Sequence, residues 1–164
     1  MNIVKYVSKN STLKTVDHID LDKYLGKWYE IARIDSWFEK GCVGATAEYS
    51  TNNETIIVHN SCRMNTLNGK LKHAYGRARV VPNSNNAKLK VSFLPKILSI
   101  FDSLFSGDYW ILKIDPQYKV ALVGAPSRKY LWILSRNEEI DVETYNEYTQ
   151  YAKSIGFDIH QLKR

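Results

Sequence analysis

The chain has 164 residues, of which 44% are hydrophobic and 24% are charged, and this composition excludes a disordered, collagen-like or coiled-coil protein. Its 23 Lys and Arg against 17 Asp and Glu give a net charge of +6, and its length suits one domain with one core. No apolar run approaches the roughly 18 residues that span a bilayer, and residues 1–15 lack a signal peptide's apolar segment. We therefore expect a soluble chain, in which a removed export signal or lipid-attachment cysteine would leave no trace.

Most of the sequence between residues 28 and 136 predicts short antiparallel strands separated by Gly, Pro, Asn and Asp clusters. The predicted strands are residues 28–34, 43–50, 55–63, 70–81, 87–94, 109–115, 120–124 and 131–136. Eight strands is the number at which a closed barrel can hold one small ligand. The pattern therefore predicts an all-β protein whose sheet curls into a sandwich or a barrel.

The predicted strand at residues 70–81 alternates between small and bulky side chains. The small ones are Ala74, Gly76 and Ala78, and the two-residue period of a strand puts them on one face. If that face points inward, the small side chains leave empty volume, which either bulky side chains from the opposite wall or a ligand fills.

Residues 141–156 predict the one long helix of the chain. Asp141 caps its first turn, and Gly156 closes its last turn in the left-handed conformation. One apolar stripe consists of Tyr145, Tyr148, Ala152 and Ile155. We expect this stripe to pack against the outside of the sheet; an amphipathic membrane helix is the alternative, which the acidic N-terminal half disfavours.

A basic stretch separates Glu54 from Asp102, with eight Lys and Arg and no acidic residue between them. Such a block favours an anionic partner, and a solvated outer face is the alternative. Because the sequence contains no nucleic-acid-binding module and few outward aromatic residues, we expect anionic lipid rather than nucleic acid as the partner.

Three short motifs resemble those of a known family. They are GKWYEIAR at residues 26–33, DPQY at residues 115–118 and LWILSR at residues 131–136. In this order they are similar to the signature motifs of lipocalins, specifically the branch of bacterial outer-membrane lipocalins and apolipoprotein D. The resemblance implies a single lipocalin domain at residues 17–164 after an N-terminal extension at residues 1–16. It also implies an eight-stranded antiparallel up-and-down β-barrel, the lipocalin calyx, with the C-terminal α-helix packed outside.

Trp28 begins the first predicted strand, and Arg136 ends the last one. Closing an antiparallel barrel brings these two ends together, so that the guanidinium lies over the indole face. Such a cation–π contact stabilises by on the order of 0.5–2 kcal/mol. We therefore expect both residues to seal the closed end of the barrel rather than to bind a ligand.

Side chains two and four residues from Trp28 or Arg136 along their strands share the inward face and are expected to contact a ligand. These side chains are Glu30, Ala32, Trp132 and Leu134. The resemblance adds residues inside the calyx and one in the first loop at its mouth, namely Tyr49, Val58, Asn60, Phe93 and Phe38. The amide of Asn60 either orients a polar head group or bonds to the backbone.

Cys42 and Cys62 flank a predicted hairpin. If Tyr49 pairs with Thr55, the residue numbers of opposed pairs add to 104, as those of the two cysteines do, so the cysteines face each other at disulfide distance. A bulge would shift this register by one residue. We expect a disulfide and hence an oxidising compartment; a redox-active or metal-binding pair is the alternative.

Residues 94–107 contain a nearly continuous apolar set, which the family's topology places at the mouth of the calyx. The set consists of Ile97, Leu98, Ile100, Phe101, Leu104 and Phe105. We expect it to form a lid or a membrane contact, and a helix folded onto the barrel wall is the alternative. Loops assigned to the mouth also carry four expected head-group contacts, namely Lys40, Arg63, Arg128 and Lys129.

These features predict a protein that carries or stores one fatty acid or lysophospholipid in the calyx, in connection with membrane lipid transport or maintenance. The alternatives are a lipocalin-fold enzyme of the isomerase kind and a membrane-surface docking protein. Because the sequence has no catalytic motif, we expect no enzyme, no cofactor and no metal. The expected partners are the lipid and a membrane surface, and the expected state is a monomer or a weak homodimer. The resemblance implies a periplasmic or outer-membrane-associated location.

Overall fold

The computed structural model describes residues 12–34, 39–52, 55–93 and 106–164. Nine strands lie in these ranges: β1 (Gly26–Ile34), β2 (Cys42–Asn52), β3 (Thr55–Met64), β4 (Leu71–Val80), β5 (Lys88–Ser92), β6 (Gly107–Ile114), β7 (Val120–Gly124), β8 (Leu131–Ser135) and β9 (Leu162–Lys163). Two α-helices accompany them, α1 (Leu21–Tyr24) and α2 (Val142–Ser154), and a 3₁₀ turn lies at Ile159–Gln161.

The strands form one closed antiparallel barrel. Each strand from β2 to β8 pairs with its neighbour in sequence, β8 pairs with β1, and β1 pairs with β2, so that the barrel closes. Strand β9 adds to the end of β1, where Arg33 opposes Lys163. The predicted eight-stranded antiparallel barrel is confirmed, and β9 and α1 are elements that the alternation did not predict.

Two hydrophobic cores lie on opposite sides of the barrel wall. The inner core fills part of the barrel around Trp28, and the outer core lies between the wall and α2. Tyr148 and Ala152 of the predicted stripe are buried in the outer core, and the Tyr148 hydroxyl donates to the carbonyl of Val120 at 2.9 Å. The predicted external helix is therefore confirmed. No helix within the described ranges is both long and apolar enough to cross a membrane.

The ends of α2 agree with the sequence prediction. The Asp141 carboxylate accepts a hydrogen bond from the backbone N–H of Thr144 at 2.7 Å, which satisfies one unpaired donor of the first turn. Gly156 has a φ of +96°, the left-handed conformation expected beyond the last turn.

A disulfide joins β2 to β3, although the register differs from the predicted one. Tyr49 opposes Val58 rather than Thr55, and a bulge shifts the pairing again, so that Cys42 opposes Met64. Cys42 and Cys62 are therefore diagonal neighbours on the same face, with Cα atoms 5.4 Å apart, and they form the predicted bond. Diagonal neighbours come within reach because the offset is two residues, which keeps both side chains on one face.

Candidate functional site

Arg136 seals one end of the barrel. Its guanidinium carbon lies 3.8 Å from the centroid of the Trp28 ring, and the predicted cation–π contact is confirmed. The same guanidinium donates to four backbone carbonyls at 2.7–3.0 Å, those of Lys23, Tyr24, Leu25 and Lys27. These charge-assisted hydrogen bonds tie the end of β8 to α1 and to the start of β1.

The half of the barrel next to this seal is filled by the protein's own side chains. Helix α1 directs Tyr24 into the barrel, where its hydroxyl lies 2.6 Å from that of Tyr109, and the Tyr49 hydroxyl donates to Tyr109 at 3.0 Å. Burial raises the pKa of Tyr49 to about 12, so this phenol is neutral. Tyr49, Val58 and Leu134 belong to the inner core as predicted, but other side chains cover them.

Two residues from Tyr49 and Val58 toward the open end, the inner wall carries a row of small and polar residues that remain partly accessible. Ala47 of β2, Asn60 of β3 and Ala74 of β4 oppose one another across the three strands, and each keeps part of its surface exposed. The Oδ1 atom of Asn60 is buried and has no hydrogen-bond partner among the described residues. An unsatisfied buried acceptor costs about 1–3 kcal/mol, which a donor on a ligand would recover.

The small-residue face of β4 is filled in two places and open in one. A Cβ atom on Gly76 would lie 2.8 Å from Cδ1 of Phe93, so the Phe93 ring occupies the space that the glycine leaves. Ala78 is fully buried, whereas Ala74 is partly exposed. Phe93 itself is 45% exposed, at the end of β5 that leads to the open end of the barrel.

A bulge in β1 changes which of its residues face inward. Glu30 opposes Leu134 of β8, whereas Ala32 opposes Ile133, so that Ile31 is an extra residue in β1. Ile31 and Ala32 are both buried in the outer core. The prediction that Ala32 faces the calyx is therefore wrong, because strict alternation does not hold across the bulge.

The same bulge turns Arg33 inward, opposite Trp132. The Arg33 Nη1 atom donates to the Glu30 carboxylate at 2.5 Å, and Nη2 donates to the carbonyls of Glu39 at 3.2 Å and Cys42 at 2.9 Å. The side chains of Arg33 and Glu30 are only 13% and 10% exposed. Arg33 therefore links the end of β1 to the start of β2.

Glu39 completes an acid–arginine cluster, which we define as Glu30, Arg33, Glu39 and Trp132. The indole N–H of Trp132 donates to both Glu39 carboxylate oxygens at 3.2 and 3.3 Å, and Glu39 shares a side-chain hydrogen bond with Glu30. Burial and the negative charge of Glu39 raise the pKa of Glu30 to about 7, against the opposing effect of Arg33. Near neutral pH the Glu30 carboxyl group therefore carries a proton for about half of the time.

The four expected head-group contacts at the mouth have different environments. Lys40 and Lys129 are exposed, and Arg63 is exposed with one hydrogen bond to a carbonyl of the β3–β4 turn at 3.1 Å. Arg128 instead directs its guanidinium to the carbonyl of Ile155 at 2.9 Å, at the C-terminus of α2. Helix C-termini attract cations, so this bond holds part of the guanidinium, and the expected head-group contact of Arg128 stays a prediction.

Several predicted residues lie outside the described ranges. They are Phe38 of the first loop and the apolar set Ile97, Leu98, Ile100, Phe101, Leu104 and Phe105. Their proposed contacts with ligand or membrane stay predictions.

The sequence pattern does not predict that Arg33, Glu39 and Tyr109 face inward. A strict two-residue period puts Arg33 on the outer face of β1, and Glu39 lies before β2 begins. The one available signal was the adjacent apolar pair Ile31 and Ala32 ahead of a charged residue, which a regular alternating strand does not accommodate.

A closed barrel with one sealed end, an external helix and a partly exposed inner wall defines a calyx-type binding protein. Residues 19–164 match the Lipocalin-like domain family. The chain belongs to the lipocalin family, whose members bind small hydrophobic ligands.

Curated relatives and solved structures agree with this assignment. The chain is 39% identical over 161 residues to temperature-induced lipocalin-1 of Arabidopsis thaliana, covering 96% of this chain and 84% of the relative. It is 37% identical over 147 residues to the outer membrane lipoprotein Blc of Escherichia coli, with coverages of 90% and 78%. Insecticyanin of Manduca sexta has the same fold, with a TM-score of 0.68 at 20% identity over 93% of this chain and 83% of insecticyanin.

Proposed function

We propose that this lipocalin carries or stores one single-chain amphiphile, of the fatty acid or lysophospholipid class, in connection with membrane lipid transport or maintenance. The single observation that carries the proposal is the accessible inner wall of Ala47, Asn60 and Ala74, with a buried acceptor that the protein leaves unsatisfied. A relative named as an outer membrane lipoprotein supports a site of action in the periplasm or at the outer membrane.

The energetics of chain burial favour an acyl group as the cargo. Each buried methylene stabilises by about 0.8 kcal/mol, so a chain of about a dozen carbons supplies ample gross binding free energy before ordering costs. The accessible row of side chains lies between the filled floor and the open end, and exposed Lys40 and Arg63 lie at that end. The phosphate of a lysophospholipid at the rim would meet these cations.

The test is native mass spectrometry of the purified protein, with extraction of whatever it holds, for the wild type and two variants. Ala74→Trp fills the inner wall, whereas Tyr75→Trp is the matched control, because Tyr75 is 66% exposed on the outer face of the same strand. We expect a lipid on the wild type and on Tyr75→Trp, and at least about tenfold less on Ala74→Trp, since an indole occupies the volume of several methylenes.

Two results would contradict the proposal. Equal lipid loading of Ala74→Trp and wild type would show that the inner wall is not the binding site. We also propose that the protein is not an enzyme, and conversion of the bound lipid by the pure protein during incubation would contradict that part.

A further inference from the structure

The polar groups that the acid–arginine cluster offers to a ligand are hydrogen-bond acceptors. The carboxylates of Glu30 and Glu39 face the upper part of the barrel beside Trp132. Trp132 already directs its N–H to Glu39, and Arg33 directs three hydrogen bonds to Glu30, Glu39 and Cys42. The donors of this cluster are thus committed to the protein.

The charge of the acid–arginine cluster is unfavourable for an anion. Two ionised carboxylates and one guanidinium give a net charge of −1, and one shared proton makes the net charge zero. An incoming carboxylate would meet this charge in a site of low dielectric constant, where like charges repel strongly. A hydroxyl group or a protonated acid would instead donate a hydrogen bond to the acceptors.

We infer that the Glu30–Glu39 pair selects the cargo by charge: the calyx accepts an amphiphile whose inserted polar end is an uncharged hydrogen-bond donor and rejects an ionised carboxylate. A fatty acid therefore enters as its neutral acid and takes up one proton from solvent. This inference rests on the proposed function, because it concerns the chemistry of the same calyx.

The groups that face Glu30 support this selection. Among the residues that the structure describes, Arg33 of β1 and Glu39 ahead of β2 are the charged groups beside it, and Tyr49 of β2 faces both carboxylates. Strand β8 contributes Trp132 and Leu134, which do not titrate. The net charge at this site is therefore set by the two acids and one base of the cluster, and removing one acid changes that charge.

The experiment compares two ligands that share one alkyl chain, 1-decanol and decanoate, by quenching of tryptophan fluorescence. Because the two ligands have the same alkyl chain, its hydrophobic contribution to the binding free energy cancels in the comparison. The variants are Glu30→Gln and, as the matched control, Glu48→Gln, which removes the same charge from an exposed site on the outer side of β2. Decanol affinity serves as the check that each variant is folded.

At a pH about one and a half units above the pKa of Glu30, wild type and Glu48→Gln should bind decanol at least about tenfold more tightly than decanoate. Glu30→Gln should bind decanoate about tenfold more tightly than wild type does, with decanol unchanged within about twofold. At a pH about one unit below that pKa, the wild-type preference for decanol should shrink.

Equal affinity of wild type for the two ligands at both pH values, with no effect of Glu30→Gln, would overturn the inference and leave the carrier function standing. Failure of both ligands to bind any of the three proteins would overturn the carrier function itself. The two failures are therefore distinguishable.

Discussion

Glu30 shows what burial does to a carboxyl group. Its side chain is 10% exposed, and burial together with Glu39 raises its pKa from 4.5 to about 7. Arg33 forms a short hydrogen bond to it, yet this favourable contact only partly offsets the loss of water. A single carboxylate therefore links the calyx to the pH of its surroundings.

The raised pKa of Glu30 has a defined consequence for stability. The folded state binds the Glu30 proton more tightly than the unfolded state does. The contribution of this proton to the free energy of unfolding is therefore fully present below pH 4.5 and is lost as pH rises through about 7. Glu30→Gln removes this dependence, so its free energy of unfolding relative to wild type should increase by about 3 kcal/mol across that window. Urea denaturation at both ends of the window, with Glu48→Gln as the control, measures the difference.

An identical pH dependence of unfolding in Glu30→Gln and wild type would contradict this prediction. The comparison between variants is needed because histidines and other carboxylates titrate in the same range. Their contributions are common to the variants and cancel in the difference.

At the scale of elements, the alternation of apolar and polar residues predicted the positions of the strands well. It predicted less well which side chains of each strand face inward. Strand β7 has the predicted bounds, and the other seven predicted strands differ from the observed ones by a few residues at their ends. Bulges in β1, β2 and β6 then change the face on which later residues of the same strand lie. A bulge leaves little trace in a sequence, because one extra residue changes neither composition nor strand propensity.

The disulfide was predicted correctly on a register that is wrong. The observed hairpin register differs from the predicted one by three residues at Tyr49, and the bulge in β2 reduces this difference to two at Cys42. An even difference preserves the face, so the two sulfur atoms still meet. The two cysteine side chains meet as predicted because the error in the hairpin register and the omission of the bulge in β2 partly cancelled.

Removing this bond should weaken the barrel. The cysteines are 20 residues apart in sequence, and opening a loop of that size costs about 3 kcal/mol in the chain-entropy account. We expect a double Cys42→Ser and Cys62→Ser variant to lose about this much unfolding free energy in guanidinium denaturation. Reductant should lower the unfolding free energy of the wild type by the same amount and leave that of the variant unchanged. If the variant loses stability and the reduced wild type does not, the loss comes from burying serine rather than from opening the disulfide.

For the whole molecule, the closed barrel, its external helix and its Trp28–Arg136 seal could all be predicted from three motifs and the two-residue period. The extent to which side chains fill the interior could not be predicted, because it depends on α1. This helix is not part of the alternating strand pattern, and it inserts Tyr24 into the barrel. The accessible wall is consequently smaller than the predicted ligand set, and it includes Asn60 but not Leu134.

The charge of the whole molecule predicts attraction to anionic membranes. The net charge is +6, and Lys70 and Lys72 are exposed where β4 begins, at the open end of the barrel. Each cation near an anionic surface contributes about 1 kcal/mol, which is about fivefold in partitioning, so a double Lys70→Gln and Lys72→Gln variant should bind anionic vesicles about 25-fold less. Vesicle co-sedimentation measures this, and added salt should weaken binding of the wild type.

A matched double variant, Lys27→Gln and Lys119→Gln, carries the same net charge with both changes at exposed positions near the sealed end. It should bind the vesicles nearly as well as wild type does. Equal losses in the two double variants would show that net charge alone governs the attraction, without a preferred orientation of the mouth.

The extra residue in β1 changes which of the following side chains face the interior of the barrel. Deleting Ile31 would remove the bulge and leave Arg33 opposite Trp132, because the residues on either side keep their partners in β8. A regular strand that kept Ile31 would instead turn the guanidinium of Arg33 out toward α2 and bring the methyl group of Ala32 into the hollow. One local irregularity, with no change of side chains, therefore decides whether this stretch of the lining is charged or oily.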